Sequence, residues 1–277
     1  MLRWRVLTAL ILVPLALLVV WAAPRQALGI VVAGVLLLAA WEWTRLIVLE
    51  STAARIVFLA AVAAAIVLEW AYLRAGWPPL ILLAAALVWW GVAGAWLRRF
   101  SRRPEQGPPP MGARLLAGVV LCALPWYSVL YLQAQGVHGP YWVTLLFLLV
   151  WGADTGAYFA GRAFGRRRLA PSISPGKTWA GVGGGLVIGV GLVAVYAWLG
   201  ASAGFGPGRV HWPWLLTAAV AAVLCSVAGD LFESMVKRQH GVKDSGGILP
   251  GHGGILDRID GMIAAAPVIA LGVYGGL

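Results

Sequence analysis

The sequence predicts an all-α integral membrane protein with about nine transmembrane helices. Three observations lead there. Hydrophobic residues make up 61% of the 277 residues and charged residues only 11%, with a mean hydropathy of +0.85, so there is too little polar surface to clothe a soluble globule. Apolar stretches repeatedly reach the roughly 20 residues that a helix needs to cross a bilayer. The basic residues, finally, sort to one side when the spans are threaded alternately through a membrane.

The expected spans lie near residues 6–23, 27–49, 56–75, 79–97, 115–135, 141–160, 179–199, 213–236 and 260–276. The first follows Met1-Leu2-Arg3-Trp4-Arg5. Its apolar run is longer than a signal-peptide core and no clear cleavage site follows, so it reads as an uncleaved helix. Within the first four spans, Glu42 is expected to pair with Arg45, and Glu69 with Arg74 by snorkelling. A basic cluster and Pro108-Pro109-Pro110 then mark a linker. The chain divides into an N-terminal bundle (1–97), a basic Pro-rich cytoplasmic linker (98–114) and a catalytic transmembrane domain (115–277). Cys122 and Cys225 are isolated in apolar helices and read as small buried hydrophobes. Trp77, Trp142, Trp212 and Trp214, near helix ends, read as interfacial anchors. The seventh span opens Gly181-x3-Gly185-x3-Gly189, a small-residue stripe that serves close packing either within the chain or in a homodimer.

With the N-terminus in the cytoplasm, all of the 21 basic residues except Arg25, Arg74 and Arg209 fall on the inside, and so do the motif-bearing loops. The net charge of +11 thus belongs mostly to cytoplasmic loops. It reads as a topology signal and an attraction for anionic lipid headgroups, with no nucleic-acid partner implied.

The chemistry concentrates in Ser234–Gly261, a polar island between two apolar runs. Charges beside hydrocarbon need a partner, a metal or water, so they mark a working site. Ser226, Asp230, Ser234 and Lys237 recur at helical spacing on one face, with Glu233 beside them. Residues 246–254 are too rich in Gly and Pro for a helix and form a tight loop with free backbone N–H groups, a setting that suits phosphate. Asp257 and Asp260, three apart at the start of the last span, offer hard oxygen ligands for Mg²⁺. Upstream, Asp154 lies toward the cytoplasmic end of the sixth span. The loop 161–178 follows, with Arg162, Arg166, Arg167, Arg168 and Lys177. Pro175-Gly176-Lys177-Thr178 is not a Walker A sequence, because Pro171 replaces its first glycine and no buried strand precedes it.

The run S-x-V-K-R-x4-K-D-x-G-x2-L-P-x-H-G-G-I-x-D-R-I-D closely resembles the signature of the phosphatidate cytidylyltransferase (CDP-diacylglycerol synthase) family. Gly229-Asp230-Leu231-Phe232-Glu233-Ser234 resembles the helix that precedes it. Asp154–Tyr158, Gly161-Arg162 and Ile173–Trp179 resemble an earlier block, with departures at Gly176 and Ala180. The resemblance covers about residues 115–277; the first hundred residues agree in hydropathy alone. It implies a multi-pass enzyme of a bacterial-type inner membrane that transfers CMP from CTP to phosphatidate, giving CDP-diacylglycerol and pyrophosphate. The implied catalytic residues are Asp230, Lys237, Arg238, Asp257, Arg258 and Asp260. Ser174, Lys177, Thr178, Ser234, Lys243, His252, Gly253 and Gly254 would contact substrates, and Asp230, Asp257, Asp260 and Asp244 would hold Mg²⁺, with room for a second cation. A homodimer is compatible with the resemblance. Two alternatives are a CTP-dependent transferase acting on another membrane lipid and an ion or anion transporter. The second lacks the internal repeat and mid-membrane polar residues that transport favours.

Overall fold

In a computed structural model describing residues 2–105, 107–248 and 253–276, α-helices account for nearly all of the regular structure. They are α1 (Leu2–Ala22), α2 (Arg25–Leu46), α3 (Thr52–Arg74), α4 (Leu80–Arg102), α5 (Met111–Gln133), α6 (Gly139–Phe164), α7 (Trp179–Ala203), α8 (Trp212–Gln239) and α9 (Leu256–Tyr274). Local signals set several of their ends. Ser51 caps α3 by accepting a bond from Ala54 N, and proline stands in the first turn of α6 and α8, where its missing N–H costs nothing. Gly204, at a φ of 76°, closes α7 in a left-handed conformation. Helix α4 runs through Arg98, Arg99 and Arg102, past the expected end at 97, since cations complement the negative end of a helix.

Among the described residues, seven helices, α2 to α8, are long and apolar enough to cross a membrane. The chain is an all-α, multi-pass integral membrane protein. The last helix, α9, carries three charges in its first turns and is otherwise enclosed: from Ile263 to Ala270 every residue is buried. It packs against α8, α5 and α4, with further contacts to α6 and α2. One apolar core continues from Val20 in α1 to Ala270 in α9.

The segment 161–178, expected as a loop, differs. Helix α6 extends to Phe164, and the rest folds into an antiparallel hairpin of β1 (Arg168–Ala170) and β2 (Ser174–Thr178). A short hairpin satisfies backbone groups that a bare loop would leave to water. It returns the chain directly into α7, whose first turn Thr178 caps through Oγ1 accepting from Gly181 N at 3.0 Å.

Helices α6 and α7 form the closest pair. A Cβ added at Gly181, Gly185 or Gly189 would stand about 3 Å from the carbonyl oxygen of Ala157, Ala153 or Leu149 respectively. One at Gly156 of α6 would collide with the Gly184 carbonyl. The glycine stripe is therefore used within the chain, bringing Asp154 of α6 toward the α7–hairpin junction.

Tryptophan does more than anchor helix ends. Phe232 of α8 is surrounded by Trp43 of α2, stacked at 6.4 Å, and by Trp89, Trp90 and Trp96 of α4, edge-on at 5.3–6.3 Å. Trp142, expected at an interface, is instead buried against Tyr141, at 4.9 Å between ring centroids. The offset and edge-on geometries match the ring quadrupoles, and they fasten the helix bearing Asp230 to its neighbours.

Candidate active site

The side chains that α8 sends toward the polar interior are Ser226, Asp230, Glu233 and Lys237. Their spacing of four, three and four keeps them on one stripe. Glu233, not Ser234, takes the third place, while Ser234 sits beside the stripe and donates its hydroxyl to Asp230 Oδ1 at 3.4 Å. Lys237 is buried, with Nζ held between Glu233 Oε2 at 3.1 Å and Asp257 Oδ1 at 2.5 Å. Two carboxylates fix one ammonium, which a buried cation requires.

Asp257, in the first turn of α9, does more than hold Lys237. Its Oδ2 accepts from Ser245 N (2.9 Å), Ser245 Oγ (2.9 Å) and Gly254 N (2.8 Å). Both arms of the glycine-rich loop are thus tied to one carboxylate. Gly253 adopts a φ of +83°, open to glycine without strain. A side chain at Gly254 would run into Ser245 Oγ and the Glu42 carboxylate.

Across the cavity, the hairpin supplies Lys177, whose Nζ lies 2.5 Å from Asp230 Oδ2. Asp154 and Asp260 are both electrostatic neighbours of Asp230 and of Lys177, and Arg258 also faces Asp154. The Asp260 carboxyl meets that of Glu233, whose Oε1 is buried with no hydrogen-bond partner. These oxygens form a hard-donor patch short of positive charge. Among the described residues, no three His, Cys, Asp or Glu side chains stand close enough to form a ready-made metal cage. The arrangement suits Mg²⁺, which commonly takes one or two carboxylates and completes its shell with water and substrate phosphates.

All of this lines one end of a cavity of about 1490 Å³. The polar end holds Asp154, Arg162, Arg168, Lys177, Asp230, Glu233, Lys237, Asp244, Asp257, Arg258 and Asp260. The rest is largely apolar, with Leu12, Leu15, Val19, Leu28, Val31 and Leu36 of α1 and α2 and Val129, Phe147 and Ile263 among its lining. One continuous space joins a charged chamber to a hydrocarbon-lined gutter.

The expected site residues do not all converge. Asp230, Lys237, Asp244, Asp257, Arg258, Asp260, Lys177 and Thr178 line the cavity. Thr178 is buried, its hydroxyl engaged in capping α7. Arg238 is exposed, does not line the cavity and donates from Nε to the Ile173 carbonyl at 3.3 Å, tying α8 to the hairpin turn. Lys243 is exposed outside the cavity, and Ser174 opens β2, also outside it. Gly253 and Gly254 shape the loop through their backbone. His252 lies outside the described residues.

Two acids of the N-terminal bundle depart from expectation. No ion pair joins Glu42 to Arg45 or Glu69 to Arg74 among the described residues. Arg45 instead lies over the Trp41 ring. Glu69 is buried beside Tyr127, with Oε2 unpartnered. Glu42 reaches the loop of the site itself, accepting from Ile255 N and Leu256 N and sharing the Ser245 hydroxyl hydrogen with Asp257. That partnership spans more than 200 residues and leaves no trace in local spacing.

The profile of the cytidylyltransferase family matches residues 3–274. The chain is similar to the phosphatidate cytidylyltransferase of Pseudomonas aeruginosa, at 40% identity over 274 residues, covering 98% of this chain and 96% of the relative. The Haemophilus influenzae protein of the same name is 35% identical over 286 residues, covering 96% of each chain. That of Brucella suis is 35% identical over 279 residues, covering 98% of this chain and 92% of the relative. The similarity includes the N-terminal bundle, where the motifs alone reached no further than hydropathy.

Proposed function

The chain belongs to the cytidylyltransferase family, and on that premise we propose that it transfers CMP from CTP to phosphatidate, giving CDP-diacylglycerol and pyrophosphate. The observation that carries the reading is one continuous cavity with a charged chamber at one end and an apolar gutter at the other. A nucleoside triphosphate needs the first, and a lipid that keeps its acyl chains in hydrocarbon needs the second. The positive-inside pattern supports a cytoplasmic N-terminus and a chamber facing the cytoplasm of a bacterial inner membrane, where nucleotides are available.

In the reaction an oxygen of the phosphatidate phosphomonoester attacks the α-phosphorus of CTP. That P–O bond forms as the bond from the α-phosphorus to the bridging oxygen breaks, and pyrophosphate leaves with the bond's electrons. The nucleophile is already anionic, so placement and charge neutralisation matter more than a strong base. Lys237, held between Glu233 and Asp257, presents an ammonium of fixed position to the incoming phosphates. Lys177 and Arg258, lining the same chamber, add positive charge, and Arg162 and Arg168 extend it toward the hairpin. Thr178 keeps the hairpin and α7 in register, so that Lys177 reaches Asp230.

Asp154, Asp230 and Asp260 outnumber the one ammonium they share, that of Lys177, so they would still repel a triphosphate unless a further cation stood among them, and this is the physical case for Mg²⁺. Asp230 and Asp260 would hold it, with Asp257 and the exposed Asp244 flanking them. Bound there, Mg²⁺ supplies neutralisation of the triphosphate and of the departing pyrophosphate.

The test is pyrophosphate release by the detergent-purified protein given phosphatidate and each nucleoside triphosphate, with and without Mg²⁺. Turnover that needs a cytidine nucleotide, phosphatidate and Mg²⁺, and that yields a CDP-lipid, is the expected result. Activity with a different lipid would retain the chamber and change the acceptor. Silence with every lipid would overturn the reading.

A further inference from the structure

Glu42 is a charged side chain of α2, fully buried, that none of the steps above uses. Its Oε1 accepts from Ile255 N at 3.1 Å and its Oε2 from Leu256 N at 2.8 Å, and Oε2 also lies 3.1 Å from Ser245 Oγ, whose one hydrogen it shares with Asp257. Ile255 and Leu256 begin α9, where N–H groups have no partner within the helix and the helix dipole favours negative charge. A helix start of this kind is usually capped by its own preceding residue. Here Ile255 stands at that position with no side chain able to cap, and the carboxylate arrives from the N-terminal bundle.

Two glycines record the same contact. A Cβ at Gly246 or at Gly254 would collide with the Glu42 carboxylate, so both arms of the loop close around it. From there a chain of side chains leads into the chamber: Ser245 Oγ stands between Glu42 Oε2 and Asp257 Oδ2, its one hydrogen shared between the two carboxylates, and Asp257 accepts from Lys237. Glu42 itself does not line the cavity. Any effect it has on substrates must pass through other residues.

We propose that Glu42 is a positioning residue for the cytidylyl transfer: it holds Ser245 and the start of α9 so that Asp257 presents Lys237 to the substrate phosphates. The inference rests on the cytidylyltransferase reading above. Uncoupling the carboxylate should leave both substrates able to bind and slow the step in which charge builds on the phosphates, because an interaction needed mainly in the transition state lowers kcat more than it raises KM.

The experiment compares full-length wild-type protein with Glu42→Gln, Ser245→Ala and the double variant in detergent. Glu42→Gln keeps the size of the side chain but replaces one accepting oxygen by a donor facing other donors. It is expected to lower kcat at least about tenfold with both KM values within about threefold. Hydrogen exchange should quicken at the amides of 254–256 while α2 and α5 keep wild-type protection, a local loosening that general misfolding would not produce. Ser245→Ala should also slow turnover, and adding it to Glu42→Gln should cost less than about twofold more, because both break the same connection. A Glu42→Gln protein with wild-type kcat, exchange that quickens throughout α2, or variant effects that simply multiply would each overturn the proposal. If Glu42→Gln does not fold, Ser245→Ala decides: unchanged kcat and unchanged exchange at 254–256 overturn it. Wild-type protein that fails to use CTP and phosphatidate refutes the assigned reaction instead, and exchange at 254–256 in Glu42→Gln still reports on the role of Glu42 in the loop.

Discussion

Asp230→Asn should separate activity from stability. Asp230 is bound to the fold by little: its side chain is 40% exposed, its partner Lys177 is 23% exposed, and the Ser234 hydroxyl reaches it at 3.4 Å. An ion pair open to water to this extent contributes about 0.2–1 kcal/mol, and the amide oxygen can still accept from Ser234. The substitution should therefore cost the fold no more than about 1 kcal/mol. Catalysis has more at stake, because Asp230 stands between Asp154 and Asp260 and meets Lys177. Removing one preorganised electrostatic group of this kind costs on the order of 10²–10³ in kcat, or about 2.7–4 kcal/mol. The assay is steady-state pyrophosphate release with saturating CTP and phosphatidate over a Mg²⁺ titration, paired with thermal unfolding in the same detergent. The expected variant unfolds within a few degrees of wild type, turns over at least about a hundredfold more slowly, and needs more Mg²⁺ for half its remaining rate. Retention of more than about a tenth of wild-type kcat, or an unchanged Mg²⁺ midpoint, would refute the assignment of Asp230 to the cation.

Asp257→Asn should behave differently, since its carboxylate carries three loop donors as well as Lys237. Turnover should vanish and the unfolding temperature should fall, with about 1.5–3 kcal/mol lost for a charge-assisted bond of this kind; an unchanged unfolding temperature would show that the loop does not depend on it. Phe232→Ala, which empties the space among four tryptophans, should destabilise the protein by about 3–5 kcal/mol and shift its tryptophan fluorescence, read by thermal and emission scans. Gly156→Ala should force α6 away from α7, at about 1–3 kcal/mol in thermal unfolding, and reduce turnover by moving Asp154; full activity would show that this approach can relax. EDTA should stop turnover without changing helical circular dichroism, and Mg²⁺ should restore it; loss of helicity with the metal would contradict a role confined to the substrates.

Where one residue's chemistry decides its surroundings, the sequence could be read directly. The apolar runs had to become helices, because a bilayer leaves no other way to satisfy the backbone. The stripe of Gly181, Gly185 and Gly189 had to approach another backbone, although only the structure identifies α6 as its partner. Tryptophan was less legible: the same ring suits a membrane interface and a packed core, and nothing near Trp142 or Trp96 in the sequence separates the two. The hairpin of β1 and β2 was hidden for a related reason, since Arg166–Thr178 lacks the alternation that a longer, half-buried sheet would impose.

The site was legible along α8 and α9, where helical spacing alone aligns Asp230 with Lys237 and sets Asp257 near Asp260. It was not legible wherever two distant segments share one charge. Arg45 is three residues from Glu42, close enough for a local ion pair, yet the carboxylate faces the start of α9. The physical reason lies in competition for a buried acid. An arginine near a helix end can reach water or an aromatic face, as Arg45 does over Trp41. The first N–H groups of an enclosed helix have no such alternative, so the carboxylate is worth more to them than to the arginine. Spacing reveals which partners are within reach, whereas burial decides which of them needs the bond. For Glu42 that need ties an apparently separate bundle to Ser245, and through Asp257 to Lys237 in the charged chamber.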